Sequence, residues 1–185
     1  MKTVRNACVL QPNALEISVG DQIEKLDQLL VDTDGNEFFS KTFITEGMRL
    51  LLVKGLARLA GKSNDTVFHL KQAMGGGKTH IMIGFGLLAK DPDLRSRLIN
   101  DISYHSNFSV ARIAAFNGRN NPETYFWGEF ARQLNKETLF KKYWESGPKA
   151  PDEDAWLELF SGDEPVLILL DEMPPYFQYY NTQML

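Results

Sequence analysis

Three consecutive glycines, a lysine and a hydroxyl stand together in Gln72-Ala73-Met74-Gly75-Gly76-Gly77-Lys78-Thr79, the residue types that hold nucleotide phosphates. Successive backbone N–H groups turn inward on phosphate oxygens only in conformations that glycine adopts most cheaply. Gly75, Gly76 and Gly77 are read as that cradle. Lys78 is expected to reach the β- and γ-phosphates, and the Thr79 hydroxyl to ligate Mg²⁺. The stretch departs from G-x-x-x-x-G-K-S/T at its first position, where Gln72 replaces glycine. A glycine-rich turn with a chance Lys-Thr is the plainer reading.

A second constellation supports the first. Val166-Leu167-Ile168-Leu169-Leu170 is an unbroken apolar run that ends in Asp171-Glu172. Such a run suits a strand covered on both faces, with its acids at the carboxyl end where parallel sheets place ligands. Asp171 is expected to orient Mg²⁺, and Glu172 to accept a proton from, or position, the water that attacks the γ-phosphate. Lys78 and Glu172 are therefore the candidate catalytic residues. The plainer reading is a buried strand capped by two solvated acids.

These groups must be positioned by strands and helices. Thr66-Val67-Phe68-His69-Leu70 reads as a short buried strand before the glycines, and residues 81–89 as an apolar helix after them. A second strand is expected over residues 109–116, followed at its carboxyl end by Asn117-Gly118-Arg119-Asn120-Asn121, where Arg119 either faces phosphate or is solvated. Asn121 is expected to cap a helix with Pro122 at its first position and Phe126, Phe130 and Leu134 on its apolar side. A further helix is expected to start in Ala150-Pro151-Asp152-Glu153-Asp154 and to bury Trp156, Leu157, Leu159 and Phe160. Residues 93–102 also read as helical.

Upstream, residues 21–31 read as a short amphipathic helix, and Asp32-Thr33-Asp34-Gly35-Asn36 as a turn. Thr45 caps a helix carrying Met48, Leu51, Leu52, Leu56 and Leu59, which ends at Gly61. Its Lys54, Arg58 and Lys62 form a basic stripe that reads as a solvated face or, alternatively, a phosphate or nucleic-acid contact. Residues 1–62 are taken as a helical N-terminal extension, and 63–185 as a partial P-loop core.

With 185 residues, 43% of them hydrophobic, the chain is long enough for a sizeable core. Its net charge of −4 argues against nucleic acid or a membrane surface as the primary partner. The single Cys8 excludes an internal disulfide, and His69, His80 and His105 lack metal-ligand spacing. No apolar run approaches the ~18 residues of a membrane span, so a cytoplasmic location is expected.

Phe39-x-x-Thr42-Phe43-x-Thr45-Glu46-Gly47, Gln72-Ala73-Met74-Gly75-Gly76-Gly77-Lys78-Thr79-His80, Trp127-Gly128-Glu129-x-Ala131-x-Gln133-Leu134 and the run ending at Asp171-Glu172 together resemble the amino-terminal part of a family of large prokaryotic AAA+-type ATPases, long catalogued as a domain of unknown function. The resemblance spans nearly the whole chain and makes Gln72 part of a family-specific loop. It implies an α/β, three-layer P-loop NTPase core with a mostly parallel sheet. It also implies ATP and Mg²⁺ as ligands, with Gly75, Gly76, Gly77, Lys78, Thr79 and His80 around the nucleotide and Thr79 and Asp171 at the metal. Hydrolysis by the full-length protein would drive work on another macromolecule, in DNA modification or phage defence. The alternative is a nucleotide-dependent switch or interaction module without efficient turnover. Family members continue past Leu185, so the core is expected to lack a strand between its first and third. The chain is then expected to need a protein partner, self-association or the remaining part of the ATPase.

Overall fold

The computed structural model describes residue 26 and residues 33–71, 77–120, 122–143 and 150–183. Among these residues, two strands and a set of short helices make a mixed α/β fold. In chain order the helices before the first strand are α1 (Gly35–Ser40), α2 (Glu46–Leu59), α3 (Lys78–Lys90) and α4 (Pro92–Leu98). Strand β1 (Arg112–Asn117) is followed by α5 (Phe126–Gln133), α6 (Glu137–Phe140) and α7 (Glu153–Phe160), then by β2 (Val166–Asp171) and α8 (Met173–Gln183).

The strands pair in parallel, from Arg112 opposite Val166 to Asn117 opposite Asp171. Alternation along each strand sends side chains to opposite faces. Ala115 and Leu169, with Ile113 and Leu167, join a core built from α2, α3 and α4. Ala114 and Phe116, with Val166 and Ile168, join a second core built from α5, α6, α7 and α8. The described sheet therefore carries helices on both faces. Leu170 is the exception on β2, at 44% exposure.

Local signals account for several helix ends. The Thr45 side chain accepts from the Met48 N–H, and Asp152 does the same for the Ala155 N–H. After α2, Lys62 N–H bonds to Ala57 O and Gly61 N–H to Arg58 O, the paired bonds of a glycine-terminated helix. The first core runs without a break from Leu26, Phe39, Met48, Leu52 and Leu56 to Ile81, Phe85 and Leu88, across the boundary expected at residue 62. Of the helix expected over residues 21–31, only Leu26 is described; it is helical and fully buried.

The strand expected at 66–70 does not form. Those residues have no regular structure, and Val67 is 72% exposed. A strand needs a neighbour for its backbone groups, and among the described residues no backbone bond joins this segment to either strand. The outer edge of β1 is taken by a side chain: Gln133 Oε1 accepts from Ala115 N–H at 2.8 Å, and Gln133 Nε2 donates to Ala115 O at 2.8 Å. An amide thus stands in for a strand at that edge.

Other expectations shift in extent. Helix α1 occupies residues read partly as a turn, with Asp34 accepting from Glu37 N–H as its cap. Helix α4 ends at Leu98 rather than 102, because the chain folds back to lay carbonyls on Arg95. Helix α5 starts at Phe126, with Tyr125 at the N-cap position and no side-chain cap bond; Pro122 lies in a turn, and Asn121 is outside the described residues. In α7, Leu159 is buried but Leu157 is 64% and Phe160 37% exposed. The buried side is set by Ala155 and Leu159, four residues apart, and Leu157 lies off that stripe.

Candidate nucleotide site

Gly75 and Gly76, like Gln72, lie outside the described residues; Gly77 to His80 are within them. Gly77 has φ +75° and ψ 22°, a left-handed conformation that an L side chain strains to adopt. It is the N-cap of α3 and has no side-chain oxygen to satisfy the first turn. The first intrahelical bond runs from Ile81 N–H to Gly77 O. The N–H groups of Lys78, Thr79 and His80 therefore have no partner within the helix, and they form its positive end. The side chains of Lys78 and Thr79 are half-buried beside them.

Folding brings the two constellations together. Thr79 Oγ1 donates to Asp171 Oδ2 at 2.5 Å, across 92 residues of sequence. Asp171 is only 7% exposed. Its other carboxylate oxygen accepts from Glu172 N–H at 3.0 Å, and its carbonyl accepts from Gly118 N–H at 2.9 Å. Glu172 has φ +50°, an uncommon conformation for a residue with a side chain and one that gathers at functional sites.

The loop after β1 reaches Glu172. Asn117 Oδ1 accepts from Arg119 N–H at 3.0 Å and from Asn120 N–H at 3.2 Å, which folds the loop on itself. Arg119 Nη2 then lies 3.3 Å from Glu172 Oε2, with both side chains substantially exposed. Such a pair is weak in water and readily exchanged. Gly118 is required here: a Cβ would lie 2.6 Å from the Glu172 carbonyl oxygen and 2.6 Å from Tyr176 Cβ. The Tyr176 hydroxyl donates to Thr124 O at 3.1 Å and accepts from Phe126 N–H at 3.4 Å, holding α8 to the start of α5.

His80, expected near the nucleotide, has its ring stacked on Phe38, with centroids 4.4 Å apart and planes at 25°. Its Nε2 lies 2.9 Å from Thr42 Oγ1. Of the expected site residues, Thr79, Asp171 and Glu172 converge at one end of the sheet. Arg119, which the sequence offered as a phosphate contact or a solvated group, is exposed and lies 3.3 Å from Glu172. The clasp of Phe38 and Thr42 on His80 was not anticipated. Its one sequence signal was that Thr42 and His80 both fall in the stretches that carry the family resemblance.

Hard oxygen donors from a hydroxyl and a carboxylate, side by side and shielded, suit Mg²⁺, which takes few protein ligands and completes its shell with phosphate and water. Among the described residues no group of three or more His, Cys, Asp or Glu could make an all-protein metal cage. No described helix is long and apolar enough to cross a membrane. No curated protein and no solved structure matches the chain. Residues 12–100, a span that includes Gly77, Lys78, Thr79 and His80 and stops short of Asp171 and Glu172, match the family model described as the DUF499 N-terminal domain.

Proposed function

We propose that the chain is the Mg²⁺-dependent ATP-binding unit of an AAA+-type P-loop ATPase, with hydrolysis serving work on another macromolecule. The observation that supports this reading most is the 2.5 Å bond from Thr79 Oγ1 to Asp171 Oδ2. It joins the end of the glycine-rich stretch to the acids at the end of β2. Gly75, Gly76 and Gly77 with the first-turn N–H groups of α3 surround the phosphates, and Lys78 adds a cation at the β- and γ-phosphates. Thr79 and Asp171 would hold Mg²⁺, which when bound neutralises phosphate charge. Glu172 takes a proton from the attacking water.

One observation favours a second reading, a nucleotide-dependent switch with slow turnover. The Glu172 carboxylate faces Arg119; the exposed pair is weak, so it slows turnover only if nucleotide binding excludes water from it and strengthens it.

Titration of the chain with ATP and Mg²⁺ by calorimetry, followed by single-turnover hydrolysis, tests both readings. Lys78→Ala should weaken ATP binding by about two orders of magnitude, the loss expected for charge-assisted contacts worth ~3 kcal/mol. Glu172→Gln should keep ATP and block turnover. Variants that both bind and hydrolyse like the parent would overturn the assignment; a parent that binds ATP without releasing phosphate selects the switch.

A further inference from the structure

His80 meets two parts of the molecule at once. Its backbone N–H is one of the three in the first turn of α3 without an intrahelical partner, because the ladder begins at Ile81 N–H to Gly77 O. Its ring is engaged by α1 and the residues just after it, Phe38 on the face and Thr42 at Nε2. The direction of the Thr42 bond follows from proton count. A threonine hydroxyl has one proton, and Thr42 Oγ1 donates it to Phe38 O at 2.8 Å. The 2.9 Å contact with His80 is therefore a bond in which Nε2–H donates and Thr42 Oγ1 accepts. The same hydroxyl joins the end of α1 to His80.

We propose that His80 is a positioning residue that links occupancy of the nucleotide site to the packing of residues 35–42. This rests on the nucleotide reading above. An anion on the first-turn N–H groups fixes the backbone of Lys78, Thr79 and His80, and the imidazole carries that restraint to Thr42 and Phe38. By reciprocity, loosening the clasp weakens nucleotide binding by the same factor. The imidazole serves as a connector between the site and the segment upstream of it, not as a ligand for base or phosphate.

The test uses the full chain, ATP with Mg²⁺, and the variants Thr42→Val and Thr42→Ser. Valine keeps the shape and removes the hydroxyl; serine restores it. Only the part of the bond's worth that differs between the free and the ATP-bound chain reaches affinity; one net hydrogen bond of ~1 kcal/mol corresponds to a factor of about five, so Thr42→Val should bind ATP more weakly by up to about fivefold and Thr42→Ser should bind like the parent. In the parent, ATP should slow amide exchange over residues 35–42, and that response should vanish in Thr42→Val. The nitrogen-15 spectrum of His80 in the unsubstituted chain gives a readout independent of any variant: protonation at Nε2, with ring signals that move on ATP addition. Unmoved His80 signals in ATP-saturated parent would overturn the coupling, as would equal ATP affinity and equal exchange response in Thr42→Val. A parent that fails to bind ATP, or a Lys78→Ala variant that binds as well as the parent, would instead overturn the nucleotide reading and the coupling with it.

Discussion

Arg95 offers the sharpest test of how the helix that carries Lys78 and Thr79 is held in place. Its side chain is completely buried, and all five of its N–H groups find backbone carbonyls. Nε donates to His105 O at 2.8 Å; Nη1 donates to Leu88 O at 2.7 Å and Ala89 O at 2.8 Å. Nη2 donates to Phe108 O at 2.8 Å and Ser109 O at 2.6 Å. The guanidinium also lies 4.1 Å over the Phe108 ring. Burial pulls its pKa below the ordinary arginine value, and Asp91 opposes that shift. The cation therefore joins the carboxyl end of α3 to the loop that precedes β1. In Arg95→Ala, Ala89 O keeps a bond from Ala111 N–H, whereas the other four carbonyls lose the guanidinium partner. A buried acceptor left without a partner costs ~1–3 kcal/mol; with water reaching some of these part-buried carbonyls, a total of ~3–5 kcal/mol is expected. For a chain of this size each kcal/mol lowers Tm by ~2–4 °C, so a loss of about 6–20 °C is expected. Arg95→Lys keeps the charge but offers at most three donors without the planar fork, and should lose about half as much. Thermal unfolding followed by circular dichroism measures both. An Arg95→Ala Tm within ~2 °C of the parent, or a Lys variant worse than Ala, would refute the idea that carbonyl satisfaction by the guanidinium holds this region.

Gly118→Ala should both destabilise the chain and reduce ATP affinity. Its Cβ would meet the Glu172 backbone at 2.6 Å, which cannot yield as a flexible side chain does, and overpacking of this kind costs ~1–3 kcal/mol; a parent-like affinity would disconnect the β1–β2 loop ends from the site. Stability should fall in alkali, because burial raises the Tyr176 hydroxyl above its ordinary value and the Tyr180 hydroxyl is raised likewise. The unfolded tyrosines ionise first, near pH ~10, so the contribution is complete below that pH and is lost as pH rises toward the folded values. Tyr176→Phe should flatten the decline in Tm above pH ~10 while costing ~1 kcal/mol at neutral pH through its lost hydroxyl bonds. A decline as steep as the parent's would refute the assignment.

Local chemistry was legible in the sequence by itself. Thr45 and Asp152 mark helix starts because a short side-chain oxygen can reach an N–H three residues on, and both accept such bonds. Gly77 stands where the backbone turns left-handed. The apolar run before Asp171 is a strand with a helical layer on each face, Leu170 excepted. Each of these depends only on neighbours in the chain. The expected strand at 66–70 had the right composition, but a strand is a relation between two segments, and composition does not supply the second edge. Leu157 had the right hydrophobicity for burial, yet the side of α7 that is covered depends on what packs against it.

Residue types and spacing alone thus determined which strand end carries the acids. Only the tertiary structure decided that Thr79 bonds to Asp171, that Arg119 turns to Glu172, that Thr42 and Phe38 clasp His80, and that five carbonyls six to fourteen residues away converge on Arg95. Those pairings join residues that share no helical or strand period. They form only when packed helices and a paired strand have already brought the partners within bonding distance, and no local rule encodes that approach.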